Sequence, residues 1–208
     1  MANTIQEFST ERGIKHLLHF TRASNLASIL QRGLVRRDIL VKEGYNEFND
    51  QYRFDNTKAV CLSISFPNYK MFWGIRQDNQ DIDWVILIIY PAALWMLPCA
   101  FCVTNAASTY VTNLPLDQRR SLASLQAMYA DWQGKKRTEL AIPNDYPTNP
   151  QAEVLALDGI PQEYIYGAIV LNSVTKQKLE ALYPGFNLFV HAGYFRYRKD
   201  YAHWKSGI

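Results

Sequence analysis

The stretch that decides the fold runs from residue 17 to residue 33 and has the sequence LLHFTRASNLASILQRG. Its first four residues, 17–20, predict a short buried strand. Ser24 then fits the N-cap of a helix that Gly33 would end. Between them apolar residues recur at helical spacing, at Leu26, Ile29 and Leu30. The sequence therefore predicts a strand, a turn and a helix at the start of the domain.

The rest of the chain alternates short apolar runs with polar connections. Further strands are predicted at 59–66, 84–90, 100–104, 154–157, 165–171 and 187–191, and helices at 67–73, 94–97, 116–132 and 174–183. Residues 36–56 show no sustained period and predict a long loop. With helices mainly in the first half and strands dominating the second, we predict an α+β fold. It would be a largely antiparallel, split β-sheet with flanking helices, in one domain over residues 1–208.

Composition sets broad limits on function. The 22 Lys and Arg residues nearly balance the 19 Asp and Glu residues, so the net charge of +3 supports nucleic-acid binding only through a local basic stripe. Three cysteines, an odd number, favour a reducing compartment over a disulfide framework, and we expect the cytoplasm. Residues 1–16 lack the apolar core of a signal peptide, and the apolar run 84–90 is too short to cross a bilayer. We therefore expect no membrane segment.

Two polar pairs on predicted strands are candidate ligand-binding residues. His19 and Thr21 end the first strand and point to the same face, where both offer hydrogen bonds. Ser63 and Ser65 interrupt an apolar run and share a face in the same way. Structural roles fit these residues as well: a satisfied histidine beside a helix cap, and hydroxyls that bond across strands.

A carboxylate and an amide stand two residues apart where the strand at 154–157 begins. Gln151 and Glu153 would project into the same cleft. A fixed carboxylate there could bond a ribose hydroxyl and stabilise the positive charge that develops at an anomeric carbon when its leaving group departs. A solvated glutamate at a strand edge fits these five residues equally well.

The predicted long loop contains an arginine flanked by aromatic residues. Arg53 follows Tyr52 and precedes Phe54 and Asp55. Its guanidinium could clamp a pyrophosphate or stack on a base. A surface ion pair with Asp55 is the plain alternative.

Several common motifs are missing from the sequence. It contains no GxGxxG, no GxxxxGK[ST] and no GxSxG, which argues against a Rossmann dinucleotide site, a P-loop and a serine-hydrolase elbow. Cys99 and Cys102 form a CxxC without a second ligand pair, so we expect no metal site. A nucleotide would therefore have to bind in another way.

Three segments, taken in order, resemble the DarT family of toxins, which are ADP-ribosyltransferases that act on bases in single-stranded DNA. The segments are HFTRASNLASILQRGL from His19, RFDNTKAVCLSISFPNYKMF from Arg53 and YPTNPQAEVLALDGIP from Tyr146. The resemblance runs from about residue 13 to residue 173, and a shorter similar segment lies at 191–194. It implies a fold in which a split sheet grips NAD in a central cleft, in agreement with the fold class predicted above.

The resemblance also implies roles for individual residues. Glu153 matches the catalytic glutamate, and Arg53 matches an arginine of catalytic importance on the loop that covers NAD. NAD-binding positions are implied at His19, Thr21, Asn25, Ser63, Ser65 and Arg53, and substrate-binding positions at Gln151, Tyr52 and Tyr69.

The acceptor and the partner are further implications. Residues 63–71 are more similar to the guanine-modifying branch, which favours transfer of ADP-ribose from NAD to guanine in single-stranded DNA, with release of nicotinamide. The resemblance also implies a macrodomain antitoxin. An RNA acceptor stays open, and so does a protein acceptor, since protein-directed transferases often carry Glu or Gln at the place of Gln151. A non-catalytic module that binds nucleic acid or NAD stays open too.

Overall fold

The computed structural model describes residues 2–45, 48 and 58–205. Seven strands in this part of the chain form one sheet. They are β1 (Leu17–Arg22), β2 (Val60–Ile64), β3 (Trp84–Ile89), β4 (Cys99–Cys102), β5 (Glu153–Ala156), β6 (Ile165–Val170) and β7 (Leu188–Val190).

Short helices surround the sheet. The α-helices of the described residues are α1 (Ile5–Arg12), α2 (Leu26–Arg32), α3 (Arg37–Lys42), α4 (Tyr69–Asp78), α5 (Ala93–Met96), α6 (Thr109–Thr112), α7 (Leu122–Ala127), α8 (Arg137–Leu140) and α9 (Ser173–Leu182). Short 3₁₀ helices lie at Ala23–Asn25, Leu116–Arg120, Gln162–Tyr164, Ala192–Phe195 and Lys199–Trp204. Within these ranges no helix has the length and apolar character needed to span a membrane.

The sheet order is β4-β5-β2-β1-β3-β6-β7, and only the β6–β7 pair is parallel. Strand β1 pairs with β3 along all six of its residues. With β2 it pairs only at Leu17–Ile64 and Leu18–Ser63. The two strands therefore separate beyond Leu18, and the sheet opens there. The predicted α+β class, with a largely antiparallel sheet and flanking helices, is confirmed.

Strand β3 shows why the sheet is covered on both faces. Val85, Leu87 and Ile89 belong to the larger core cluster, whereas Trp84 and Ile86 belong to a second cluster on the other face. Because successive side chains of a strand point to opposite faces, a continuous apolar run marks a strand that is buried on both. Each such side chain contributes about 1.5–3 kcal/mol to the free energy of unfolding.

Three local predictions differ from the structure. The segment 36–56 was expected to be a loop throughout, but α3 occupies part of it, with Asp38 in its first turn and ion-paired to Arg36. Ser24 does not cap α2, because residues 23–25 form a 3₁₀ turn before the helix begins. The helix expected at 116–132 is interrupted at Ser121, whose extended backbone and side chain cap α7 instead.

Candidate active site

His19 lies where β1 and β2 separate. Its ring Nδ1 is 2.8 Å from the carbonyl oxygen of Cys61, a residue of β2 that no longer pairs with β1. A carbonyl only accepts, so Nδ1 carries the proton and donates. The imidazole thereby replaces a lost ladder bond and satisfies a backbone oxygen at the opening of the sheet.

This bond predicts a difference between two His19 variants. His19→Ala is expected to lower the free energy of unfolding by about 1–2 kcal/mol, because the Cys61 carbonyl loses its donor. His19→Asn is expected to recover most of that loss, since the asparagine amide places a donor close to the position of Nδ1. Urea unfolding of both variants at neutral pH measures the difference. Equal losses would show that the ring stabilises the junction by packing alone.

A polar network joins the end of β1 to the segment after α3. Asn25 donates from Nδ2 to the hydroxyl of Thr21 at 2.9 Å, and the Tyr45 hydroxyl donates to Asn25 Oδ1 at 2.5 Å. Thr21 is buried, and all three residues line the same cavity. Because Asn25 holds both neighbours, it fixes the segment after α3 over the end of β1.

The end of β2 is shaped by a tight turn at Ser65. The Phe66 N–H donates to the Ile64 carbonyl at 2.7 Å, and Ser65 between them has a φ of 59°, a left-handed value that is rare for residues other than glycine. The turn brings Asn68 back towards the strand, where its N–H donates to the Ser63 hydroxyl at 3.0 Å. The side chain of Asn68 also caps α4.

This turn separates the two serines that were expected to act together. Ser63 lines the cavity, but Ser65 does not, because strand alternation ends at Ile64. The Ser65 hydroxyl is buried and has no hydrogen-bond partner among the described residues. The expectation that both hydroxyls share one face is therefore corrected.

Glu153 begins β5 and is 6% exposed. The Ala106 N–H donates to its Oε2 at 2.8 Å, which orients the carboxylate with a charge-assisted bond. Leu62 pairs with Val154, and the two strands are antiparallel. Ser63, which follows Leu62, therefore lies beside Glu153, which precedes Val154. Glu153 is therefore not a solvated glutamate at a strand edge, which was the alternative that the sequence left open.

Two arginines hold the loop that leads to Glu153. Arg137 donates to the carbonyls of Pro143, Asn144 and Tyr146 at 2.6–2.9 Å. Arg198 donates to the carbonyls of Pro147 and Thr148 at 2.8 and 2.7 Å. The backbone that precedes the carboxylate is thus fixed from both sides.

Two expected substrate-binding residues lie elsewhere. Gln151 was expected on the strand face of Glu153, but β5 starts at Glu153 and Gln151 lies in a turn closed by the Asn149 side chain. Tyr69 is 2% exposed and packs edge-on against Tyr197 and Tyr201. In this structure neither residue lines the cavity.

The predictions for Tyr52 and Arg53 lie outside the described residues. The same holds for the neighbouring Asp55 and for any ion pair between it and Arg53.

A cavity of about 570 Å³ opens where β1 and β2 separate. It brings together five of the predicted residues: His19, Thr21, Asn25, Ser63 and Glu153. Its volume lies within the range of roughly 300–1,000 Å³ that is usual for ligand pockets. The sequence thus predicted residues that converge on one cavity from three neighbouring strands and the turn that follows β1.

Other lining residues escaped the sequence prediction. Arg32 and Arg37 are candidate phosphate ligands, and apolar side chains such as Leu34 and Leu40 can cover flat rings. Arg32 is engaged by Glu43 through two bonds at 2.7 and 2.8 Å. Asn68 also lines the cavity, and a turn residue of this kind gives no periodic signal. This mixture of carboxylate, donors, cations and apolar walls fits a dinucleotide such as NAD.

Comparisons with known proteins agree with this geometry. A family model described as "ssDNA thymidine ADP-ribosyltransferase, DarT" matches residues 18–194. No curated protein matches the chain.

Solved structures share the fold at low identity. Thermus sp. 2.9 DarT in complex with carba-NAD+ is 16% identical, with a TM-score of 0.59 over 88% of this chain and 98% of that one. The same protein in complex with ADP-ribosylated ssDNA is 16% identical, with a TM-score of 0.56 over 88% and 97%. Thermosipho africanus DarTG in complex with ADP-ribose is 13% identical, with a TM-score of 0.58 over 87% of this chain and 51% of that one, so the chain spans about half of its length. With the family model matching most of its residues, the chain belongs to the DarT family of ADP-ribosyltransferases.

Proposed function

We propose that this protein transfers ADP-ribose from NAD to a base in single-stranded DNA, with Glu153 as the catalytic carboxylate. One observation carries the proposal. In a DarT-family domain, His19, Ser63 and Glu153 stand on three neighbouring strands and face one cavity.

Glu153 is suited to the chemistry of the transfer. The bond between the ribose anomeric carbon and nicotinamide breaks, the electron pair leaves with nicotinamide, and positive charge develops on the ribose. A buried carboxylate stabilises that charge more strongly than an exposed one would, because little water screens it. A base nitrogen then attacks the anomeric carbon, and Glu153 accepts its proton.

The other cavity residues would hold NAD. The Nδ1–H of His19 is engaged by Cys61, so the ring presents its opposite edge towards the ligand. Thr21, Asn25 and Ser63 offer hydrogen-bonding groups for ribose or carboxamide, and Arg37 a cation for phosphate. We propose that Arg53 adds a second cation from the covering loop.

The acceptor base is a finer part of the proposal. The resemblance of residues 63–71 supports guanine, whereas the family description names thymidine. We also propose a macrodomain antitoxin as partner, on the resemblance to toxin–antitoxin systems. Relief of growth inhibition by a co-expressed macrodomain would support that partner, and continued inhibition would count against it.

One experiment tests acceptor and linkage together. The protein is incubated with NAD and an oligonucleotide containing all four bases, and the digested nucleosides are analysed by mass spectrometry. Parallel reactions contain RNA of the same sequence or total protein. ADP-ribosyl deoxyguanosine is the expected product. ADP-ribosyl thymidine would overturn guanine but keep the DNA transferase. Modification of RNA or protein alone would overturn DNA as acceptor.

A further inference from the structure

The C-terminal segment 196–205 concentrates the positive charge of the chain. The segment contains four basic residues and a single acidic residue, Asp200. The basic residues are Arg196, Arg198, Lys199 and Lys205. The segment therefore carries the same formal charge of +3 as the whole sequence, which leaves the other residues neutral on balance. This is a local basic stripe of the kind that overall composition does not reveal.

A buried cluster fixes this segment to the body of the protein. Arg198 and Asp200 form two bonds of 2.6 Å, and the Trp204 indole donates to Asp200 at 2.7 Å. Arg198 also bonds the carbonyls of 147 and 148, in the loop before Glu153. Because these three side chains point inwards, Arg196, Tyr197 and Lys199 point outwards and are exposed.

Aromatic rings lie beside these cations on the surface. Trp73 is 44% and Tyr197 is 41% exposed, with ring centroids 6.1 Å apart. Tyr201 stacks on Tyr197 at 4.2 Å, and the Lys205 ammonium lies 5.4 Å from the Tyr201 ring centroid. Tyr69 supports both tyrosines from beneath. We call Trp73, Tyr197, Tyr201, Arg196, Lys199 and Lys205 the aromatic–basic platform.

We propose that the aromatic–basic platform binds nucleotides of single-stranded DNA that flank the modified base; the identity of the strand as acceptor rests on the proposed function. Aromatic faces stack on bases without regard to sequence, and nearby cations contact the phosphates. A second exposed aromatic group, Tyr90, Tyr166 and Phe189, lies at the strands β3, β6 and β7 and outside the basic segment 196–205, so it serves as a comparison.

Helix α4 sets the distance between platform and cavity. Met71 lines the cavity, and Trp73, two residues later, lies on the opposite side of the helix. A DNA strand that reaches both must pass around the helix, so it spans at least one helix diameter, roughly 10–12 Å. At about 3.4 Å per stacked nucleotide, this corresponds to about three nucleotides. The platform therefore acts only on oligonucleotides that extend at least that far from the modified base.

The test measures binding to a long oligonucleotide and transfer to a short one. Fluorescence anisotropy without NAD measures the affinity for a labelled oligonucleotide of about 12 nucleotides, within the site sizes of single-strand binding proteins. Tyr197→Ala and Trp73→Ala are each expected to weaken binding by about five-fold or more. Tyr166→Ala is the matched control, because Tyr166 is also 41% exposed, and its affinity is expected to stay within about two-fold of wild type.

Further measurements separate a local fold defect from a lost contact. The double variant Lys199→Ala/Lys205→Ala removes exposed charges and is expected to reduce the slope of log affinity against log salt by about 0.7 per phosphate contact. Transfer to an oligonucleotide of about three nucleotides is expected to be unchanged in all platform variants.

Two results would overturn the platform: affinity of the Tyr197 and Trp73 variants equal to that of Tyr166→Ala, or an unchanged salt slope in the lysine variant. Failure of the proposed function is a separate result. If wild-type protein modified no DNA but platform variants still lost affinity, the platform would stand and the transferase proposal would fall.

Discussion

Replacing Glu153 with glutamine is expected to lower the rate of ADP-ribose transfer from NAD to single-stranded DNA by about a thousand-fold or more. Loss of electrostatic stabilisation at a reacting centre costs about 10²–10³ in rate, and loss of a general base adds to it. Glutamine keeps the size of the side chain and an oxygen that accepts from the Ala106 N–H. The variant is therefore expected to fold like the wild type. Release of radiolabelled nicotinamide and labelling of the oligonucleotide measure the rate.

An alanine variant would be harder to interpret at this position. It leaves the buried Ala106 N–H without its carboxylate partner, at a cost of about 1–3 kcal/mol in the free energy of unfolding. The matched control is Glu139→Gln on α8, a glutamate on the surface that forms an ion pair with Lys136, and this variant is expected to transfer at the wild-type rate. Wild-type activity in Glu153→Gln would show that the transfer does not need the carboxylate.

The fold was predictable where local sequence alone determines the backbone. The apolar run of β3 and the strand at Leu17 gave clear signals, and Gly33 ends α2 with a left-handed φ of 74°. Helix α3 was missed because six residues give little periodicity, and none of them is buried. The break at Ser121 was missed because a serine can either continue a helix or cap the next one.

The candidate site was predictable in its residues and less so in its geometry. His19 and Glu153 could be chosen as candidates from motif order, but the bond of His19 to Cys61 depends on where two strands separate. Ser65 does not share a face with Ser63, because the left-handed backbone of Ser65 itself ends the alternation of side chains along the strand. Ala106 contributes only a backbone N–H, so its identity carries no signal for its role.

The buried Arg198–Asp200 pair predicts the largest change in stability. Arg198→Ala is expected to lower the free energy of unfolding by about 3–5 kcal/mol, because Asp200 stays buried with its charge unpaired. The carbonyls of 147 and 148 lose their donors at the same time. Since domains of this kind are stable by about 5–15 kcal/mol, the loss is a large part of the total. Urea unfolding at neutral pH measures it.

Two further variants distinguish the ion pair from its surroundings. Arg32→Ala breaks a surface pair with Glu43 and is expected to lower the free energy of unfolding far less than Arg198→Ala does, because water screens both charges. Arg198→Met combined with Asp200→Leu removes both buried charges and is expected to regain the part of the stability that the unpaired charge costs in Arg198→Ala, although the Trp204 indole N–H loses its acceptor. It would not restore the bonds to the loop before Glu153. Transfer activity should therefore stay below wild type in the double variant even where stability returns. A loss below about 1 kcal/mol in Arg198→Ala would contradict the role of the pair.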